Sequence, residues 1–160
     1  MANRPCRRGF TLIELLVTVA IVGLLATVAV PVAEVTYKRS KEHELREALR
    51  EIRRGIDNYK QAVDEGRIIS SVLTSGYPPT LVALVEGVQD ARDPDKHKIY
   101  FLRRIPRDPM STDAGIPNEQ TWGLRSYESP PDDPRPGEDV FDVHSLSQDL
   151  GLNGIAYKDW

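Results

Sequence analysis

A long apolar segment near the N-terminus is the clearest feature of the hydrophobic pattern. Residues 15–33 carry no charged side chain, and residues 1–9 form a short basic stretch before them. The hydrocarbon core of a bilayer is about 30 Å thick and takes about 20 helical residues to cross. Together with the uncharged positions just before Glu14, the apolar run is long enough. It predicts a membrane-spanning helix over residues 10–33.

A second helical pattern occupies residues 34–66, a stem in which charged residues surround a regular apolar set. The apolar side chains recur every three or four positions, as on one face of a helix, and they are Leu45, Leu49, Ile52, Ile56, Tyr59 and Val63. We expect this stripe to pack on the chain's own globular region, because a coiled coil would need heptads over more turns. With Gly66 as a stop signal, the apolar helix is expected to run into the stem, kinked at most at Pro31.

Residues 67–160 differ in kind, since most of the prolines fall here among short apolar runs. Thr80 and Gly87 bracket a predicted short helix, and residues 92–96 form a predicted turn. Two strands are predicted at residues 121–127 and 140–146, with a loop rich in proline and aspartate between them, at residues 129–139. The expected fold class is α+β, with a long N-terminal helix packed on a small C-terminal antiparallel sheet.

Composition and motifs argue against several classes of function. The formal net charge is −3, and nothing in the composition indicates a nucleic-acid partner. The single cysteine, Cys6, cannot form an internal disulfide, and no Cys–His metal spacing is present. His43, His97 and His144 are far apart, and the sequence has no zinc-protease, P-loop, Rossmann or serine-hydrolase motif. We therefore expect no enzymatic activity.

The apolar segment has competing interpretations. A secretory signal peptide also begins with basic residues, but its apolar core has about 7–15 residues and would avoid a charge such as Glu14. No small-x-small cleavage site follows the run either. A plain signal anchor is harder to distinguish by hydropathy alone. Charge does not decide the orientation, because basic residues flank the run on both sides: Arg4, Arg7 and Arg8 before it, and Lys38, Arg39 and Lys41 after it.

Glu14 is the residue that most needs an explanation. A charged side chain at the centre of a membrane helix costs roughly 2.5–3.5 kcal/mol on insertion scales. The next basic side chain along the chain is Lys38. Either Glu14 lies at the interface and reaches water, or a positive group from another molecule neutralises it.

The residues around Glu14 resemble the type IV prepilin cleavage and methylation motif, and they are Gly9-Phe10-Thr11-Leu12-Ile13-Glu14-Leu15-Leu16. The resemblance implies that a prepilin peptidase cuts between Gly9 and Phe10, so that residues 1–9 are a leader and Phe10 becomes N-methylated. It implies that Glu14 recruits the next subunit by pairing with the amine of a neighbour's first residue. It also implies a cytoplasmic N-terminus and a filament-core role for residues 10–33. Pro31 matches a proline common in the family's membrane segment.

The C-terminal region resembles the major, G-type pseudopilins of type II secretion. The matching pieces are Tyr77-Pro78-Pro79, Ile105-Pro106-Arg107-Asp108-Pro109, Trp122-Gly123 with Tyr127, Asp142-Val143-His144-Ser145, and Trp160. The resemblance implies a pilin-like fold without a disulfide, in a subunit that polymerises into a periplasmic pseudopilus driving protein secretion. The implied partners are further copies of the chain, other pseudopilins, the prepilin peptidase/methyltransferase and an inner-membrane assembly platform.

The implied location is the bacterial inner membrane, crossed once, with residues 67–160 as a periplasmic globular region. Two alternatives stay open. One is a type IV pilin or minor pilin used in adhesion, motility or DNA uptake, although many of those carry a C-terminal disulfide loop. The other is a periplasmic binding domain tethered by a prepilin anchor.

A calcium site is a further implication of the G-type resemblance. In that family a loop around the last strands binds calcium through a serine and aspartates, and Ser145, Asp149 and Asp159 lie at the corresponding positions. The chain departs from the pattern, since Leu150 replaces a glycine and the segment up to Trp160 is shorter. Calcium takes about 6–8 oxygen ligands, so a loop held by hydrogen bonds alone is the alternative. A weaker candidate is the acid-rich loop, with Asp132, Asp133, Glu138 and Asp139.

Overall fold

The computed structural model describes residues 10–69 and 75–160, with the side chain of Val28 excepted. Its longest element is helix α1, Leu12–Asp64, which has 53 residues and contains Pro31. The chain divides into two compact units, the first ending at Arg39 and the second comprising Ser40–Trp160. This division is coarser than the predicted boundaries at residues 9, 33 and 66, which stay predictions.

In the first unit, α1 exposes most of its described side chains. Every described side chain from Phe10 to Tyr37 is exposed. Three threonine hydroxyls donate hydrogen bonds to helix carbonyls of the preceding turn: Thr18 to Leu15 at 2.9 Å, Thr27 to Leu24 at 2.7 Å and Thr36 to Val32 at 2.9 Å. These bonds satisfy the hydroxyl protons locally, so the exterior of this part of α1 is almost wholly apolar.

In the second unit, the apolar stripe of the stem forms the centre of the core. Leu45 and Ile52 are 0% exposed, and Val63 at the end of the stripe is partly buried against the same cluster. The side chains that pack with the stripe come from the rest of this unit, and they include Leu81, Leu84, Leu102, Trp122 and Val143. The expectation that the stripe packs on the chain's own globular region is confirmed.

Helix α1 ends two residues before the predicted stop at Gly66. Gly66 has a φ of +69°, and its amide donates to the Val63 carbonyl at 2.8 Å. A glycine in the left-handed region is a common way for a helix to end, because it turns the chain without a Cβ clash.

The predicted short helix is present as α2, Leu81–Glu86, with Thr80 as its N-cap and Gly87 as its C-cap. The Thr80 hydroxyl accepts the Ala83 amide at 3.3 Å, which satisfies one of the free amides at the helix start. Leu81 and Leu84 are buried in the core. Both ends of this helix were therefore predicted correctly from capping residues alone.

A small hairpin follows α2 and was not predicted. Strands β1, Val88–Gln89, and β2, Lys98–Ile99, pair in antiparallel fashion on either side of the predicted turn. Arg67 fastens this hairpin to the chain just after α1, because its Nε donates to Asp90 Oδ2 at 2.9 Å. That hydrogen bond is the main reason why the pKa of Asp90 lies below its usual value.

The second sheet consists of β3, Trp122–Arg125, and β4, Asp142–Ser145, paired antiparallel with Gly123 opposite His144. Both strands were predicted, and both are shorter than residues 121–127 and 140–146. The fold class α+β is confirmed, and the described residues form two small antiparallel sheets instead of one.

Candidate assembly site

The N-terminus of α1 is organised around Glu14. The Thr11 amide and the Thr11 hydroxyl both donate to Glu14 Oε2, each at 2.9 Å. In return, the Glu14 amide donates to the Thr11 hydroxyl oxygen at 3.3 Å. This reciprocal arrangement is a capping box, in which a threonine before the helix and a glutamate three residues later satisfy each other's amides. The Thr-x-x-Glu spacing was visible in the sequence, but its capping role was missed.

The capping box leaves half of the Glu14 carboxylate open. Both Thr11 bonds end on Oε2, and no described residue donates to Oε1. The side chain is exposed, and so is Phe10, at 89% of its surface. The described part of the chain therefore offers Glu14 local dipoles but no cation. Gly9, the other residue of the predicted processing site, lies outside the described residues.

The helix that carries Glu14 also carries a large uncovered apolar surface. One stretch of α1 is apolar and long enough to cross a membrane, and none of it is buried against the part of the chain that the structure describes. Soluble monomers rarely expose contiguous apolar patches beyond about 300–600 Å². Lipid or other protein chains must therefore cover this surface. Glu14 lies in the first turn of the helix that carries it.

The short motifs of the C-terminal region, separated in sequence, are in contact in the structure. The Trp122 indole nitrogen donates to the Pro106 carbonyl at 2.8 Å. The Ser145 hydroxyl donates to Asp108 Oδ2 at 2.6 Å, and both side chains are buried. These two hydrogen bonds join the Ile105–Pro109 motif to the Trp122–Gly123 motif and to the Asp142–Ser145 motif.

Tyr77 joins the remaining motif to the same sheet. Its ring lies 5.6 Å from that of Tyr127 and 4.9 Å from that of Phe141, distances at which aromatic pairs attract. The Val140 amide donates to the Pro78 carbonyl at 2.8 Å. The Tyr77-Pro78-Pro79 motif therefore packs against the chain on both sides of the 129–139 loop.

The three residues of the predicted calcium site have different surroundings. Ser145 is fully buried, and its hydroxyl oxygen also accepts the Ser147 amide at 3.1 Å. Asp149 and Asp159 are both exposed. Among the described residues, no group of three His, Cys, Asp or Glu side chains with converging ligand atoms includes either aspartate. The calcium site stays a prediction from the resemblance.

The acid-rich loop is held by its own hydrogen bonds. The Ser129 hydroxyl donates to the Asp133 carbonyl at 2.9 Å and accepts the Arg135 amide at 2.8 Å. Asp139 accepts the Tyr127 amide at 2.9 Å and the Ser75 hydroxyl. These contacts agree with a proline-rich loop that is ordered by turns.

The histidines do not converge on one site. His43 pairs with Glu47 at 3.2 Å on the surface of α1, and His97 pairs with Asp93 at 2.5 Å. His144 lies across Gly123 on the β3–β4 sheet, and burial lowers its pKa. Asp93, Asp95 and His97 form a cluster of possible metal ligands, with Asp93 half-buried and the other two exposed, at the position of the predicted turn. Asp93 already accepts the amides of Asp95 and His97 there.

The comparison with protein families concerns the same N-terminal region. Residues 4–30 match the prokaryotic N-terminal methylation motif, which spans the capping box and most of the apolar surface. The chain carries a prepilin-type methylation motif at its N-terminus. The matched residues include Glu14 and most of the uncharged run that follows it, residues 15–33.

Two curated relatives are similar to the chain over most of its length. The type II secretion system core protein G of Klebsiella michiganensis is 26% identical over 141 residues, which are 86% of this chain and 92% of that protein. The protein of the same name from Pectobacterium carotovorum is 29% identical over 135 residues, covering 82% and 80%. No solved structure gave a significant match.

Proposed function

We propose that this protein is a structural pseudopilin subunit that polymerises into a periplasmic pseudopilus for type II protein secretion. The single observation that carries the proposal is an exposed apolar helix with Glu14 in its first turn. Thr11 binds only Oε2 of this carboxylate, so Oε1 is left for a donor from another chain. Relatives named type II secretion system core protein G, similar over most of the chain, support the secretion assignment. No catalytic role is proposed.

Processing is the first step of the proposed function. The prepilin peptidase/methyltransferase would cut between Gly9 and Phe10 and methylate the new amine of Phe10. The cut removes the basic residues 1–9 from one end of the apolar helix. It also creates a positive amine four residues before Glu14, on every subunit.

Assembly then depends on charge pairing between subunits. A cation and an anion about 4 Å apart attract by about 1 kcal/mol in water and by about 4 kcal/mol at an effective dielectric of 20. An unpaired carboxylate in the same surroundings is costly. The Thr11 capping box orients Glu14 with Oε1 open, so the amine of a neighbour can bind there without breaking the helix start. Head-to-tail contacts of this kind, when they do not close into a ring, build an open filament.

Before assembly, the apolar part of α1 would anchor the subunit in the inner membrane, with the N-terminus in the cytoplasm and the second unit in the periplasm. All main-chain groups within a helix are satisfied internally, apart from its ends and the turn at Pro31. Moving the helix from lipid into a bundle of like helices exchanges one apolar environment for another. The assembly platform would supply the energy that moves each subunit from the membrane into the filament.

The proposal is tested by separating the charge of Glu14 from its capping role. Glu14→Gln keeps the capping box, because glutamine serves at this position as well as glutamate, but it removes the charge. We expect normal insertion and processing, with filament yield and secretion reduced roughly tenfold or more, since about 1.4 kcal/mol changes an association constant tenfold. Sedimentation of sheared filaments and assay of exported protein measure both.

Thr11→Val is the matched control, because it removes the hydroxyl of the capping box and keeps the Glu14 charge. We expect Thr11→Val to assemble far better than Glu14→Gln, provided that mass spectrometry finds both variants processed. Wild-type filament yield from processed Glu14→Gln would remove the charge pair from the proposal. Deletion of the gene distinguishes the three candidate functions. Loss of a pseudopilin abolishes secretion, and loss of a pilin removes surface filaments. Loss of a tethered binding domain affects neither.

A further inference from the structure

The C-terminal segment, residues 146–160, is fastened to α1 by a buried carboxylate. Glu42 is 3% exposed, and its Oε1 accepts the Leu152 amide at 2.7 Å and the Tyr157 hydroxyl at 3.1 Å. Tyr157 is itself buried, and burial together with the hydrogen bond to Glu42 raises its pKa to about 12. One side chain of α1 therefore binds both halves of the segment.

Two arginines on the same face of α1 extend this attachment. Arg53 Nε donates to Asp142 at 2.7 Å, while its Nη2 donates to the Trp160 carbonyl at 2.9 Å and to the Val143 carbonyl at 3.2 Å. The Arg46 guanidinium lies 4.2 Å from the centre of the Trp160 ring, within the range of a cation–π contact. Positions 42, 46 and 53 share a helix face because they are one and three turns apart.

The main chain of the segment is paired with itself. The Gly151 amide donates to the Ile155 carbonyl at 2.8 Å, the Tyr157 amide to the Asp149 carbonyl at 3.0 Å, and the Lys158 amide to the Ser147 carbonyl at 3.1 Å. A calcium ion in such a loop needs several carbonyl oxygens turned towards one point. Here the carbonyls of Ser147, Asp149 and Ile155 are turned towards amides of the same segment.

The side-chain oxygens expected to bind calcium are also unsuited to it. The Ser145 hydroxyl donates its proton to Asp108 and accepts the Ser147 amide, which uses two of its three hydrogen-bonding positions. Asp108 is buried, and its Oδ1 accepts the Met110 amide at 2.8 Å. Asp149 and Asp159 are exposed and share no converging third carboxylate among the described residues.

We infer that the C-terminal segment is held in place by Glu42 and Arg53 of α1 and needs no calcium ion. In this chain a carboxylate supplied by the stem accepts the donors that organise the segment. Among the described residues, Asp149 and Asp159 have no converging group of carboxylates with which to hold the family's metal. This inference does not depend on the proposed function, because it concerns how one subunit folds.

The first experiment uses the full-length protein in detergent, with thermal unfolding measured in EDTA and in about 1 mM calcium chloride. We expect the two Tm values to agree within about 1 °C, and hydrogen exchange of residues 147–160 to be the same in both buffers. A site with a Kd near 10 µM would instead raise Tm by ~5–10 °C. A shift of that size, lost in Asp149→Asn, would overturn the inference.

The second experiment tests the attachment itself with Glu42→Gln and the matched control Glu47→Gln, which changes an exposed glutamate on the same helix. We expect Glu42→Gln to lower Tm by ~5–10 °C, since charged hydrogen bonds in a buried site are lost. Exchange should rise in residues 147–160, and Glu47→Gln should change neither. Wild-type protection of the segment in folded Glu42→Gln would show that Glu42 does not hold it, and would overturn the inference even if calcium has no effect.

Discussion

At the scale of single residues, two glutamates of α1 show how surroundings decide a role. Glu14 is exposed, is bonded only by Thr11 among the described residues, and keeps one oxygen open. Glu42 is buried and receives its donors from distant parts of its own unit. Glu14 is therefore proposed to act between subunits, and Glu42 is inferred to act within one.

Gly123 allows a residue-scale prediction. A Cβ at this position would lie 2.2 Å from His144 Nε2, because the imidazole lies across the glycine on the paired strand. We expect Gly123→Ala to lower the free energy of unfolding by about 1–3 kcal/mol through overpacking, as measured by denaturant titration in detergent. His144→Ala serves as the control, and the double variant should recover most of the loss. Additive effects of the two changes would contradict the steric explanation.

At the scale of elements, α1 contains two kinds of helix surface. Residues before the stem expose apolar side chains on all described faces, whereas the stem buries a single stripe. The period of the stem pattern predicted this, because charges fill the remaining faces and leave one orientation in which the helix can pack. The β1–β2 hairpin was missed for an equally physical reason, since strands of two residues are too short to show an alternation.

Ile52 tests the element-scale account of the stem. It is 0% exposed at the middle of the stripe, and we expect Ile52→Ala to cost about 2–5 kcal/mol of unfolding free energy, because a cavity replaces packed atoms. The control is Glu51→Ala, an exposed neighbour, which should stay within about 0.5 kcal/mol of the wild type. Equal effects from the two substitutions would mean that the stripe is not the core.

At the scale of the whole molecule, the chain combines a membrane-length helix with a globular unit whose motifs meet. The resemblance that pointed to G-type pseudopilins was carried by pieces spread from Tyr77 to Trp160. In the structure these pieces bond to each other and to α1, as in the Ser145–Asp108 and Arg53–Asp142 pairs. Short motifs that are far apart in sequence thus belong to one packed unit.

Processing is the prediction that concerns the whole chain. Gly9→Ala should leave residues 1–9 attached, because the prepilin peptidase is expected to require glycine before the cut, and the intact mass of membrane-extracted protein measures this. Gly23→Ala is the matched control, because no atom of the described chain lies within 4 Å of an added Cβ at this position. This variant should be processed normally. An N-terminus at residue 10 in the Gly9→Ala protein would refute the assignment of the cleavage site.

The amino-acid sequence by itself determined the features that depend on neighbours along the chain. The apolar run, the motif around Glu14, the stripe of the stem and the caps of α2 all follow from local spacing and from the residue types that end helices. The sequence could also suggest a calcium site, but only by resemblance, since ligand geometry is not a local property.

Only the tertiary structure decided which polar groups satisfy one another. Ser145 and Asp108 are 37 residues apart, and Glu42 and Tyr157 are 115 apart, so no periodicity links them. A buried polar group must find a partner when water is excluded, and the partner is chosen by how the elements pack. For that reason the bonds between the C-terminal loop and the stem, such as those that Glu42 accepts, became visible only in the folded chain.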